Sequence, residues 1–135
     1  MLVADTNVWA RAYLNDDQSQ AKKARKALAQ AQGEGGVFIP VIVLAELSWV
    51  LRSAGWERER ILAALEAMLQ TRGVTVEAPG LVREAIEATR IGGTGGFADH
   101  LIAKIGFANG ATEVITFDAK FGKGERVRRV ILPIP

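Results

Sequence analysis

Short apolar runs alternate along this chain with longer segments in which apolar residues recur every three or four positions. The runs are typical of buried strands, and the longer segments are typical of amphipathic helices. We predict strands at residues 2–4, 37–39, 74–76, 114–117 and 130–132. We predict helices at residues 6–14, 18–32, 40–54, 56–71, 79–91 and 98–108. Alternation of this kind, without hairpin signals, indicates an α/β fold with a mainly parallel sheet.

Composition narrows the class of protein. The chain has 135 residues, which suits one domain spanning residues 1–135. No apolar run is long enough to cross a bilayer, and the N-terminus resembles no export leader, so we expect a cytoplasmic protein without a membrane partner. The absence of cysteine excludes a disulfide framework and a thiolate site, and the single histidine, His100, excludes a multi-histidine zinc site.

Net charge is only +2, so charge alone says little about a nucleic-acid partner. Basic residues nevertheless form two clusters: Lys22, Lys23, Arg25 and Lys26, and then Lys120, Lys123, Arg126, Arg128 and Arg129. Such clusters would suit a protein that holds a phosphate backbone, or they are simply solvated faces.

Four acidic residues, Asp5, Glu46, Asp99 and Asp118, adjoin or interrupt apolar runs. Asp5 and Asp118 follow predicted strands, and ligands of open parallel sheets bind beyond the carboxyl ends of the strands. Glu46 is predicted to lie on an apolar stripe, where burying its charge would cost several kcal/mol or more without a partner. Carboxylates that converge on Mg²⁺ or Mn²⁺ would remove this cost.

Each acid also has a simpler explanation. Asp5, Asp99 and Asp118 are all placed to be helix N-caps, a role in which aspartate is favoured. Glu46 has no capping role in the middle of a helix, so it needs a buried Arg or Lys or a metal ion as its partner.

The sequence around these acids resembles the PIN-domain ribonucleases and, more narrowly, the VapC-type toxins of toxin–antitoxin pairs. The segments that carry the resemblance are Asp5-Thr6-Asn7-Val8-Trp9, Ala45-Glu46-Leu47, Phe97-Ala98-Asp99-His100-Leu101-Ile102-Ala103 and Thr116-Phe117-Asp118-Ala119-Lys120-Phe121. They follow one another in order over almost the whole chain.

The resemblance implies a PIN-like three-layer α/β/α sandwich around a sheet of about five strands. It also implies an endoribonuclease dependent on Mg²⁺ or Mn²⁺, a homodimer, and inhibition by a cognate VapB-type antitoxin. It assigns Asp5, Glu46, Asp99 and Asp118 as the catalytic and metal-binding residues. Thr116 and Asn7 match its supporting positions, although Thr116 also suits a strand on β propensity alone. His100 is predicted to be a surface residue in preference to a general base.

The chemistry follows from the available side chains. No serine–histidine or cysteine nucleophile is evident, so hydrolysis must use water, activated by one or two cations. The glycine-rich segment at residues 92–96 follows a helix and lacks a nucleotide-binding motif, so it is either a mobile segment near Asp99 or a plain loop.

Two other classes of function compete with a ribonuclease. One is a metal-dependent phosphatase or phosphotransfer domain, in which Glu46 and Asp99 would have no role. The other is a catalytically silent RNA- or partner-binding module with the same fold, which would have no reason to keep four mutually repelling acids. Cleavage of DNA is a further alternative within the nuclease class.

Overall fold

A computed structural model of the protein describes residues 1–92 and 94–131. The chain divides into two compact units, one formed by residues 1–79 and one that begins at residue 80. Each unit is described in turn.

The first unit combines a parallel sheet with four helices. Its elements are β1 (Leu2–Val3), α1 (Thr6–Tyr13), α2 (Gln18–Gly33), β2 (Val37–Ile39), α3 (Val41–Ser53), α4 (Arg58–Gln70) and β3 (Val74–Val76). The strands pair in the order β1-β2-β3, and both pairings are parallel. Helix α1 packs on α2 and α3, while α4 packs on α3 and β3.

Burial in this unit follows the periodicity of the sequence. The outer residues of β2, Val37 and Ile39, are fully buried. Helix α3 buries a face three and four residues apart, formed by Val43, Leu44, Leu47 and Leu51. Helix α3 ends just before Gly55, whose positive φ of 95° is a conformation that glycine adopts at little cost.

The N-terminus of α3 has an unusual partner. Pro40 precedes the helix and supplies no side-chain cap. Instead the backbone N–H of Val41 donates to Oε1 of Glu77, directly after β3, over 2.8 Å. The N–H of Glu77 in turn donates to the carbonyl of Ile39 over 2.9 Å. The end of β3 therefore fixes the start of α3, satisfying one of the N–H groups that a helix leaves unpaired.

The second unit has two helices and a small sheet. Its elements are α5 (Pro79–Gly92), α6 (Phe97–Ala108), β4 (Val114–Thr116), a 3₁₀ turn (Phe121–Lys123) and β5 (Val127–Arg129). Strands β4 and β5 are parallel, with Val114 aligned with Val127 and Thr116 aligned with Arg129.

The predicted α/β class and parallel strand pairing are confirmed, and all six helices and the first four strands lie close to their predicted bounds. We predicted a single sheet of about five strands. The described residues instead form one three-stranded sheet and one two-stranded sheet. Within the same residues no helix is long and apolar enough to cross a membrane.

The prediction of a last strand at residues 130–132 is wrong. The strand lies at Val127–Arg129, and the N–H of Val130 makes the last bond to β4, at the carbonyl of Thr116. Residue 132 lies outside the described residues. The apolar pattern misled the prediction because β5 is a partly exposed strand with two arginines, and charged residues are common on exposed strands.

Candidate active site

Asp5 joins the end of β1 to the start of α1. It is the N-cap of α1, and its Oδ1 accepts a hydrogen bond from the N–H of Val8 over 3.2 Å. The predicted capping role is therefore confirmed. The residue is exposed, and Asn7, the second residue of α1, is exposed as well. The cap fixes the orientation of the carboxylate at the end of the strand.

Glu46, in the middle of α3, is linked to α1. Its Oε1 accepts a hydrogen bond from Oγ1 of Thr6 over 3.1 Å. Thr6 directly follows Asp5, so this bond brings Glu46 and Asp5 into one neighbourhood. The sequence indicated Thr6 only as the start of a helix, because its partner lies 40 residues away and only tertiary packing brings the two together.

The predicted burial of Glu46 on an apolar stripe is wrong. Glu46 is exposed, and so are Ile42 and Trp49 on the same helix, at 65% and 56% of their surface. Because α3 carries apolar residues almost all round, its sequence did not distinguish the buried face from the exposed one. The cost of desolvating Glu46 is thus not an argument for a metal ion.

Asp99 is held at the start of α6. It is the third residue of this helix, and its Oδ2 accepts a hydrogen bond from the backbone N–H of Gly96 over 3.0 Å. It is therefore not the N-cap itself, but it reaches back to the N-cap residue as acids at this position do. The side chain is half-buried.

His100 and the glycine segment form one packed cluster with Phe121. His100 is half-buried, its Nε2 lies 2.6 Å from the carbonyl oxygen of Thr94, and its ring packs edge-on against Phe121 at 5.2 Å. A Cβ added at Gly95 would lie 2.7 Å from Cδ1 of Phe121, and the φ of Gly95 is +73°. His100 is thus partly exposed and less free than a surface residue without contacts, and contacts hold residues 94–96 beside Asp99.

Asp118 forms a tight turn after β4. Its Oδ1 accepts hydrogen bonds from the N–H groups of Lys120, over 2.8 Å, and Phe121, over 2.9 Å. Its own N–H donates to Oγ1 of Thr116 over 3.0 Å. The hydroxyl of Thr116 thus stabilises the turn that carries Asp118, which gives this predicted supporting residue a definite local role.

These contacts keep Asp118 ionised. The N–H of Phe121 is the largest cause that lowers the pKa of the Asp118 carboxyl, and the N–H of Lys120 adds to it. Desolvation opposes this and is the second-largest effect on the pKa, and the charges of Lys120 and Arg129 lower the pKa by smaller amounts. The carboxyl of Asp118 therefore keeps its charge to a lower pH than an ordinary aspartate does.

The four acids share a pattern of bonding. In each, one carboxylate oxygen accepts a hydrogen bond from the protein: Oδ1 of Asp5 and Asp118, Oδ2 of Asp99 and Oε1 of Glu46. Among the described residues, the second oxygen of each forms no hydrogen bond. Such oxygens suit hard divalent cations, and Mg²⁺ is commonly held by only one or two carboxylates together with water.

The described residues contain no group of three or more His, Asp or Glu side chains placed to hold one metal ion. Asp5 and Glu46 are brought together in the first unit. In the second unit, the N–H of Phe121 binds Asp118, and the ring of Phe121 packs against His100, the residue after Asp99. The sharing of one cation by all four acids therefore stays a prediction.

Comparison with protein-family models matches residues 2–126 to the PIN domain. The matched range contains all four acids and both supporting residues, Asn7 and Thr116. No curated protein matches the chain.

Proposed function

The chain belongs to the PIN-domain family, and we propose that it is a metal-dependent endoribonuclease acting as the toxin of a toxin–antitoxin pair. PIN domains are usually nucleases, which supports hydrolysis of a nucleic acid. The observation that carries the proposal is the common bonding pattern of Asp5, Glu46, Asp99 and Asp118. Each is oriented through one oxygen and offers the other.

In this proposal the four carboxylates would hold Mg²⁺ or Mn²⁺. The cation would supply a water of lowered pKa and stabilise the charge that develops on the phosphate. The protein's own contribution is positional: the N–H of Val8 orients Asp5, Thr6 orients Glu46, and the Asp118 turn orients a carboxylate that stays ionised. Their unbonded oxygens are also proton acceptors for an attacking water.

The test is cleavage of labelled RNA, single-stranded DNA and duplex DNA by the purified chain, in EDTA and after addition of Mg²⁺ or Mn²⁺. We expect RNA cleavage that requires the added cation. Undiminished cleavage in EDTA would contradict the mechanism. Preferential cleavage of DNA would mean that the substrate is DNA and not RNA. Release of phosphate from a monoester without strand cleavage would favour the phosphatase alternative.

A matched pair of variants controls for contaminating nuclease and for stability. Asp5 and Asp17 are both helix N-caps, of α1 and α2, and each accepts a bond from the N–H three residues later. Asparagine is as good a cap as aspartate, so Asp5→Asn and Asp17→Asn should both fold. Only Asp5→Asn should lose cleavage by orders of magnitude. Equal activity of the two variants would remove Asp5 from the site, and absence of cleavage in the wild-type chain would favour a silent binding module.

The toxin part of the proposal concerns partners. We propose a homodimer in the cytoplasm. The dimer is supported by the exposure of Ile42, Trp49 and Val50 on α3, because large apolar and aromatic residues are favoured in interface cores. Helix α4 gives no such support, since Ile61 and Leu62 are buried within the chain. Light scattering that shows a monomer at tens of micromolar would refute the dimer.

The proposed VapB-type antitoxin would inhibit by placing an Arg or Lys among the acids, in competition with the cation. Growth arrest on expression, relieved by a co-expressed antitoxin, tests the toxin role. A complex with the antitoxin that still cleaves RNA would refute inhibition at the acidic site.

A further inference from the structure

The basic residues near the C-terminus differ in what they bind. The guanidinium of Arg126 lies 3.7 Å from the centre of the Phe107 ring and also donates to two backbone carbonyls. Arg128 forms an ion pair with Glu113 over 3.2 Å. In the part of the chain that the structure describes, the side chains of Lys120 and Arg129 form no hydrogen bond or ion pair, and both are exposed. These two cations are thus available to a ligand.

Arg129 lies beside the turn that carries Asp118. It is the last residue of β5 and is aligned with Thr116, the last residue of β4, so both lie at the carboxyl edge of the small sheet. A Cβ added at Gly122 would lie 2.6 Å from Cβ of Arg129. The turn after Asp118 therefore packs directly against Arg129, and only glycine allows this approach.

Lys120 approaches the same carboxylate from the turn itself. Its backbone N–H is bonded to Oδ1 of Asp118, so the start of its side chain has a fixed position two residues from the acid. Lys120 is thus held in the turn of Asp118, and Arg129, which is aligned with Thr116, lies against the same turn. Among the described residues neither side chain is bonded to the carboxylate of Asp118, so both cations can bind an anionic ligand beside this turn.

We propose that Arg129 and Lys120 form a phosphate subsite that holds a phosphodiester of a nucleic-acid strand beside Asp118. The planar guanidinium of Arg129 can bond two phosphate oxygens at once, and Lys120 adds a point charge. The subsite rests on the proposed nuclease function, since it serves to bring the strand to the acids. Both cations are substrate-positioning residues.

The chain offers a close control. Arg128 and Arg129 are neighbours in β5, so their side chains leave the strand on opposite faces. Arg128→Gln and Arg129→Gln change the net charge equally. The Arg128–Glu113 pair is exposed and contributes little to stability, so both variants should fold.

The experiment measures binding of fluorescein-labelled single-stranded RNA, and of DNA of the same sequence, by anisotropy over a range of salt concentrations in EDTA. Loss of one phosphate contact should make the slope of log K against log salt about 0.7 less steep for a single strand. We expect this change, with roughly tenfold weaker binding, for Arg129→Gln and not for Arg128→Gln. Lys120→Gln should flatten the slope similarly, and Arg129→Lys should keep the slope while losing part of the affinity.

Three outcomes would overturn the subsite: equal salt slopes for Arg128→Gln and Arg129→Gln, an Arg129→Gln slope equal to that of the wild-type chain, or a loss of affinity confined to RNA. Weaker binding of RNA and DNA alike is the expected result, because both share the phosphate backbone. Because the assay needs no metal and no cleavage, its result is separable from that of the nuclease test. A wild-type chain that cleaves RNA while both variants bind alike would refute only the subsite.

Discussion

Substitution of Gly95 by alanine tests the packed cluster that holds Asp99 and Asp118. The added Cβ would lie 2.7 Å from Cδ1 of Phe121, and the φ of +73° disfavours any side chain. The left-handed backbone costs about 1 kcal/mol or somewhat more, and overpacking typically adds about 1–3 kcal/mol. We therefore expect Gly95→Ala to lose roughly 3 kcal/mol of stability, which corresponds to a Tm about 10 °C lower.

Two other glycines in the second unit separate these contributions. Gly110 has a φ of +97° and nothing within 4 Å of an added Cβ, so Gly110→Ala should lose only the backbone part, about 1 kcal/mol. Gly80, the second residue of α5, has neither a positive φ nor a close neighbour, so Gly80→Ala should be neutral or stabilising. Urea unfolding of the three variants, with an unchanged m value, gives the comparison.

A double variant guards against a chain that simply fails to fold. Phe121→Ala alone removes packing and should destabilise the protein, but it also removes Cδ1 and Cγ of Phe121, the atoms that the new Cβ would strike. In the Gly95→Ala background its cost should therefore shrink or reverse, which a double-mutant cycle measures. Equal stability of Gly95→Ala and Gly110→Ala, or additive effects in the cycle, would refute the packing argument.

Three further predictions concern single side chains. Glu77→Ala removes the acceptor of the Val41 N–H and should destabilise the chain by about 1 kcal/mol, measured by thermal unfolding. Thr6→Val should destabilise the protein by about 1 kcal/mol and should lower RNA cleavage by more than this loss of stability explains. Thr6→Ser keeps the hydroxyl and should recover the cleavage. Unchanged activity in Thr6→Val would show that Thr6 does not orient Glu46. Folding lowers the pKa of the Asp118 carboxyl, so the ionised carboxylate stabilises the folded protein above the ordinary pKa of 3.8, and this stabilisation is lost as pH falls through the pKa of the folded state. The difference in stability between wild type and Asp118→Asn should therefore shrink on acidification. A difference that does not depend on pH would contradict this.

The sequence predicted the helices and strands of this fold better than it predicted how the strands pair. Periodicity located the helices, and Asp17 caps α2 directly before its predicted start at residue 18. The sequence could not indicate that five strands belong to two sheets in the described residues, because pairing depends on tertiary contacts. Strand β5 was missed because its arginines lack the apolar pattern by which buried strands are recognised.

The positions of the candidate site residues on strands and helices were predictable, but their exposure and their contacts were not. Position after a strand correctly placed Asp5 and Asp118. The exposure of Glu46 was mispredicted because an almost wholly apolar helix shows no preferred face. The role of His100 was missed because its partners, Thr94 and Phe121, depend on local packing that no spacing reveals.

The bond between Glu77 and the start of α3 has a consequence for the order of folding. Glu77 lies 36 residues after Val41, so α3 is synthesised before the residue that caps it. The N–H of Glu77 binds Ile39, which ties this cap to the joining of β3 to β2. A nascent chain that stops short of residue 77 lacks the bond that fixes the start of the helix carrying Glu46. We therefore expect the bond between Glu46 and Thr6 to become stable late in folding.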